Sequence, residues 1–342
     1  MQILEPAVNR TGITFCKRQT NSPSTHRDYQ LHNQLFKLIP LLMGRIILIV
    51  FLGFSGCLVC RINAQYIHEI LEYTPAPGQH INAAAGTPEA AQSIIGTTTG
   101  LVSLGAFGGF ISFRFEHPVA NDPDHPYGID FTIFGNSVGN WSEPGIVSVM
   151  KDENGNGVAD DTWYELAGSE YHKETCDRNY LVTYTNPGGE IAKDVAWDDN
   201  HGNSGFVYAN AIHTQPYYPS NSFFPAIDQS EYSLKGTRIY AGIDSSNNTL
   251  INSPALSYGY ADNHTRGSFP WTRPDNPDTP ETEGAGGDPM DISWAVDSSG
   301  SPVHLDTIHF IKVHTAVNAQ AGALGEISTE IAGAALVDAG TG

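Results

Sequence analysis

From Phe110 to Glu116 apolar and polar residues alternate strictly: Ile111, Phe113 and Phe115 fall on one side, and Ser112, Arg114 and Glu116 on the other. A period of two is the signature of a strand with one buried face. Ile129, Phe131 and Ile133 repeat it against Asp130 and Thr132, and Val147 and Val149 repeat it within Ile146 to Met150. Further strands are predicted at Tyr66 to Tyr73, Leu101 to Leu104, Thr162 to Leu166, Tyr180 to Tyr184, Thr237 to Ile243 and His304 to His314. One short helix stands out. Thr87-Pro88-Glu89 supplies a cap, a first-turn proline and an early acid ahead of Ala90 to Ile94, and Gly96 stops it. Two stretches, Asn186 to Tyr232 and Ser253 to Asp291, are polar, aromatic and rich in Pro and Gly, and read as long loops. With no internal repeat and no clean linker, residues 65 to 342 are predicted to form one all-β domain, an elaborated antiparallel β-sandwich.

Composition sharpens the compartment more than the fold. The chain carries Lys+Arg 17 against Asp+Glu 37, a net of −20. Residues 1–64 hold 7 basic and 2 acidic groups, leaving 10 and 35 in residues 65–342, a net of −25. Such a surface repels nucleic acid and anionic lipid and suits cations and neutral ligands. Ile46 to Cys60 is an apolar run behind Arg45, and Ile62-Asn63-Ala64 fits cleavage before Gln65. Residues 43–64 therefore read as a signal peptide beginning at Met43, with 1–42 an unstructured upstream extension. Two other arrangements remain open, a lipid anchor at Cys57 and an uncleaved span from Leu38 to Cys60; either would be the chain's only membrane contact. Cleavage before Gln65 leaves Cys176 without a disulfide partner.

The most informative chemistry lies between the strands Ile146 to Met150 and Thr162 to Leu166. Counting Asp152 as the first position, Asn154 is third, Asn156 fifth, Gly157 sixth, the Val158 carbonyl seventh and Asp160 ninth. Short oxygen-bearing side chains at alternate positions around a turn glycine are what a calcium loop needs. Position 12, where an EF-hand places a bidentate Glu, is Trp163, and strands replace the flanking helices. Asp161 or Glu165 is left to complete the shell. The same residues also suit a solvated Asn-Gly turn.

Three weaker candidates follow. Asp288 and Asp291, with Asp297, Glu326 and Glu330, offer oxygens for a second cation, although their spacing matches no fixed ligand pattern and turn formation explains them better. Trp197, Tyr217 and Tyr218 lie among amides and carboxylates, the combination a sugar needs for stacking and directed hydrogen bonds; as loop anchors they would have the same composition. Glu143, beside Trp141 and Ser142, suits turn architecture, a metal shell or an acid. Catalytic signatures are poor: no HExxH occurs, and His304, His309 and His314 alternate faces along their strand. No catalytic residue is assigned. A carboxylate pair for glycoside hydrolysis is a matter of spatial approach, which the sequence does not display.

Several ordered blocks resemble a group of bacterial cell-surface proteins: SLGAFGGFISFRF (Ser103 to Phe115), PYGIDFTIFGN (Pro126 to Asn136), Trp141 to Tyr171, Gly286 to Asn318, and GEISTEIAG (Gly325 to Gly333). Members sometimes occur beside PKD-type domains and are mostly of unknown function. The resemblance implies a jelly-roll-like sandwich at the outer surface and no particular reaction. A fainter likeness to surface lipoproteins of glycan and corrinoid uptake departs at Cys57, which lacks a good lipobox and a following acidic run. The expectation is an exported, calcium-binding β-sandwich that binds or adheres, with a glycan, another small ligand or an outer-surface protein as partner. The alternatives are a glycan hydrolase and a capture protein for a nutrient such as a corrinoid.

Overall fold

The computed structural model describes residues 65–139, 141–243 and 252–338, so the upstream extension and the leader lie outside the described residues. No helix among the described residues is long and apolar enough to cross a membrane. Strand β1 (Ile67–Thr74) leads to helix α1 (Pro88–Gln92), where Thr87 Oγ1 accepts the Ala90 N–H at 3.2 Å and Pro88 sits where a missing N–H costs nothing. Then come β2 (Val102–Ser103), β3 (Phe110–Phe115), β4 (Val119–Ala120), β5 (Phe131–Phe134), β6 (Gly145–Met150) and β7 (Trp163–Leu166). A second run holds β8 (Asp177–Thr185), β9 (Val195–Asp199), β10 (Ser204–Val207) and β11 (Glu231–Arg238). The chain closes with β12 (Tyr260–Ala261), β13 (Asp288–Met290), β14 (Ala295–Val296), β15 (Thr307–Ile308), β16 (Phe310–Thr315), β17 (Glu330–Ile331) and β18 (Gly333–Leu336).

Every pairing between these strands is antiparallel. The central sheet runs β1-β3-β16-β6-β7-β14, with β12 added on β6. Because side chains alternate, Ile311 and Val313 of β16 enter one core together with Ile111 and Phe113 of β3 and Val147 and Val149 of β6. Phe131 and Ile133 of β5, Met290 of β13 and Ala334 of β18 close that core from the opposing three-stranded sheet β13-β5-β18. These two layers are the sandwich, all-β and antiparallel as the alternation predicts.

The other face of the central sheet is covered as well. Phe110 packs with Phe107, Tyr180, Val182, Tyr184 and Leu234 against the four-stranded sheet β10-β9-β8-β11. β11 passes so close to β16 that a Cβ at Gly236 would lie 2.5 Å from His314 Nε2. Burial pushes the His314 pKa down to about 4, so the ring is neutral and its Nε2–H donates to the Thr237 carbonyl at 3.1 Å.

Four expectations need correction. The stretch Asn186 to Tyr232 is not a loop: it carries the β9–β10 hairpin and the start of β11. Asp198, Asp199 and Gly205 hide the strand pattern there, and Gly205 is small because the Trp197 ring lies across it, 2.6 Å from where a Cβ would be. Ser253 to Asp291 likewise contains β12 and β13. The strand expected at Thr237 to Ile243 runs earlier, over Glu231–Arg238, and the one at His304 to His314 breaks at His309.

Candidate cation and ligand sites

β6 and β7 are adjacent antiparallel strands with Met150 opposite Trp163, and residues 151–162 join them. Asp152 organises that loop. Its Oδ1 accepts the N–H of Gly155 at 2.7 Å and of Asn156 at 3.1 Å, while Oδ2 accepts that of Gly157 at 2.8 Å. Asn154 Oδ1 and Asn156 Oδ1 accept the next N–H but one, from Asn156 and Val158, and both amide groups turn toward Asp160 at 3.0–3.2 Å. Gly155 and Gly157 take φ of +71° and +75°, which side-chain-bearing residues adopt only with strain. Asp152 N–H donates to His309 Nδ1 at 3.1 Å, tying the loop's start to the chain just before β16, and Asp161 Oδ2 accepts Glu153 N–H at 2.9 Å, closing it. The Gly157, Gly155 and Asn156 amides lower the Asp152 pKa, so this exposed carboxylate is ionised.

Each of the four polar side chains Asp152, Asn154, Asn156 and Asp160 carries an oxygen, the donor atom that a hard cation takes. Asp152, Asn154, Asn156, Val158 and Asp160 lie in one turn as their spacing predicts. Trp163 opens β7, with Lys312 Nζ 4.5 Å from its ring centre. Glu165 is excluded from the shell, because its buried carboxyl accepts from Thr237 Oγ1 on β11. Asp161 remains as the neighbouring acid.

A second set of carboxyls was invisible as a set. Glu143 before β6, Asp262 after β12 and Glu330 opening β17 bring one oxygen each to within 4.8 Å of the others, and all three residues are buried. Asp262 Oδ1 accepts the N–H groups of Asn136 (2.8 Å) and Ser137 (2.9 Å), and its Oδ2 accepts that of Glu330 (2.8 Å). Glu143 Oε1 accepts the Ser328 N–H at 3.1 Å, and Ser328 Oγ donates to Glu330 Oε1 at 2.6 Å. Gly135 makes room, since a Cβ there would sit 2.1 Å from Asp262 Oδ1. Burial first, then the Glu330 charge, holds the pKa values of Glu143 and Asp262 well above the carboxylate range. Three buried anions side by side are untenable, so the cluster either shares protons or holds a cation.

The second cation site considered from Asp288, Asp291, Asp297, Glu326 and Glu330 is not assembled. Asp291 caps the turn Ile292–Trp294 through the Ser293 N–H, Asp297 holds the Ser299 and Ser301 amides, and Glu326 accepts the Gln79 N–H at 2.7 Å. Asp288 is buried and accepts the N–H groups of Asn263 and His264. It also lies 3.2 Å from His264 Nδ1. Burial alone would lower the His264 pKa, but the Asp288 hydrogen bond and charge, with Asp275, outweigh it and raise it. His264, Asp275 and Asp288 line a cavity of about 470 Å³ with Tyr258 and Asn276, within the size range of small-molecule sites. No Lys or Arg lines it, which disfavours an anionic ligand.

The aromatic expectation changes. Tyr217 and Tyr218 are 1% and 3% exposed and belong to the core under β8–β11. The Tyr217 hydroxyl accepts the Asn210 N–H, and the Tyr218 hydroxyl donates to the Asp228 carbonyl. They reach the wall of a cavity of about 360 Å³ beside residues 186–193, but with 1% and 3% of their surface exposed they offer it little area for stacking. Trp197 packs on the same core from β9. All three anchor the second layer, the role that burying an aromatic body and satisfying its polar tip defines. Cys176 is free, and burial pushes its pKa up to about 11, which keeps it an inert thiol.

With this geometry in hand, neither a protein-family model nor a curated protein matches the sequence. Fold and site together define a class only: an antiparallel β-sandwich with an oxygen-lined loop at one strand junction.

Proposed function

We propose that this protein is an exported, cell-surface, calcium-binding β-sandwich that acts as a binding or adhesion module, with carbohydrate as its ligand class. One observation carries the reading: Asp152, Asn154, Asn156 and Asp160 converge in a loop whose own amides hold Asp152 ionised. Calcium would bind only the folded loop, so it stabilises the junction of β6 and β7 by mass action. The apolar run Ile46 to Cys60 and the strong negative charge of residues 65–342 support an exterior setting, where calcium is abundant. The 470 Å³ cavity, rich in carboxylates, hydroxyls and proline faces and without Lys or Arg in its lining, suits a neutral saccharide better than an anion. The hydrolase alternative draws no support from the close carboxyl triad among the described residues, because Glu143, Asp262 and Glu330 are buried and do not line that cavity.

Thermal melts of the purified chain test both halves. Calcium is expected to raise the melting temperature, a chelator to reverse the rise, and Asp152→Ala to abolish it. A panel of neutral polysaccharides, simple sugars and corrinoids in calcium is expected to add a saturable shift with a saccharide, lost when His264→Ala opens the cavity wall. A shift with corrinoids alone would favour nutrient capture, and a melt indifferent to calcium and chelator would overturn the metal half.

A further inference from the structure

A further cavity, of about 430 Å³, lies between the end of β11 with residues 239–243 and the segment 317–320. Arg238 lines it, and its guanidinium is held between two rings, 4.6 Å from the Tyr180 centre and 4.2 Å from the Tyr240 centre. Stacking of this kind fixes the plane of the guanidinium and so aims its donors. Tyr180 is itself locked, accepting from Asn318 Nδ2 at 3.0 Å and donating to Asp199 Oδ2 at 2.9 Å. Among the described residues the ion pairs involve Arg114, Lys151, Lys173 and four histidine contacts, and none involves Arg238. Its Nε is buried and has no hydrogen-bond partner. On the other wall Gln320 Oε1 is buried and equally unpartnered.

This pairing is odd for the chain that contains it. Residues 65–342 hold 35 acidic groups against 10 basic ones, so an arginine is not left without a carboxylate for want of acids. A buried donor and a buried acceptor both left unmade cost stability, and such costs persist where a ligand completes the bonds. A guanidinium fork takes a carboxylate in two parallel hydrogen bonds. An acceptor across the cavity takes a hydroxyl from the same ligand.

We propose that this cavity binds a hydroxy-carboxylate, a hexuronate unit of an acidic saccharide, with Arg238 on the carboxylate and Gln320 Oε1 on a ring hydroxyl. The proposal deepens the binding-module reading and rests on it for its setting, but it does not use the Asp152 loop. Tyr240, half exposed, is the outer wall of the clamp.

The test is calorimetric titration of the full chain with glucuronate, and with glucose and acetate as its two halves. Glucuronate is expected to saturate, with glucose and acetate each at least about tenfold weaker, a difference of about 1.4 kcal/mol. Arg238→Gln is expected to weaken glucuronate about tenfold or more, and Tyr240→Leu, at a more exposed position, several-fold. Gln320→Leu should weaken glucuronate while leaving acetate unchanged. If Arg238→Gln does not fold, Arg238→Lys keeps the charge, loses the fork and is expected to show the same loss. Glucuronate binding unchanged by Arg238→Gln or Arg238→Lys, or no saturation at tens of millimolar, would overturn the site. A calcium-induced melting shift measured on the same samples separates the two readings: a shift without glucuronate binding rejects this cavity alone, and glucuronate binding without a shift rejects the calcium loop alone.

Discussion

The chain gathers carboxylates in two places and treats them oppositely. In the loop between β6 and β7, Asp152 is exposed, caged by three amide N–H groups and pushed toward ionisation. In the cluster of Glu143, Asp262 and Glu330 the groups are buried, and desolvation with mutual repulsion pushes Glu143 and Asp262 toward holding protons. The residue types are the same; environment decides the charge. The loop is where we propose calcium binds, whereas the cluster is a cross-link that ties Asn136, Ser137, Glu143, Asp262 and Ser328–Glu330 together whether by shared protons or by a cation.

The sharpest way to break that contrast is a single methyl group in each place. Gly135→Ala would put a Cβ 2.1 Å from Asp262 Oδ1, displacing a carboxyl that satisfies three backbone amides, two of them buried. At about 1–3 kcal/mol for each stranded group, the loss is expected to be several kcal/mol, read as a fall of about 10 °C or more in melting temperature. A fall of only a degree or two would mean the cluster is not a cross-link.

A smaller effect is expected from pH. Burial first of all raises Glu326 to about 8 and Glu165 to about 7, and Asp130 to about 6. In the unfolded chain these groups ionise near the ordinary carboxylate value, so between there and pH 8 the folded state binds more protons than the unfolded one. Stability from these groups is therefore present in mild acid and lost as pH rises through their folded pKa values. Asp152 has the opposite sign, its contribution disappearing in acid. Melting temperatures from pH 5 to 9 are expected to decline, and Glu326→Gln to flatten the upper part of the decline; an unchanged slope in that variant would assign the effect elsewhere.

The smallest effect belongs to the loop's own backbone. A Cβ at Gly157 meets nothing within 4 Å, but φ is +75°, so Gly157→Ala is expected to cost only about 1 kcal/mol, with weaker calcium binding. A cost as large as that of Gly135→Ala would show that the loop is as interlocked as the cluster.

The contrast also explains what was legible in the sequence. The loop's oxygens lie within nine residues, so spacing alone revealed them, as it did the Thr87 cap and the alternating strands β3, β5 and β6. The cluster is long-range: Ser328 meets Glu143 across 185 residues and Glu330 meets Asp262 across 68. Glu143 and Glu330 each drew attention singly, but Asp262, the residue with φ of +53° that joins them, carried no local signal. The four-stranded layer was missed for a related reason. Its strands are short and interrupted by Asp and Gly, and its aromatics, Tyr217 and Tyr218 among them, look from composition like ligand platforms although they are core. Arg238 was equally silent, because what marks it is a guanidinium between two tyrosine rings with no ion pair among the described residues.

The central claim is that the exposed acids, rather than the buried ones, take calcium. Trp163 follows the loop directly, so terbium bound in place of calcium should emit on tryptophan excitation. The account predicts sensitised emission that calcium competes away, that Asp152→Ala abolishes and that Glu330→Gln leaves in place. Emission lost in Glu330→Gln and retained in Asp152→Ala, or no emission that calcium can displace, would contradict it.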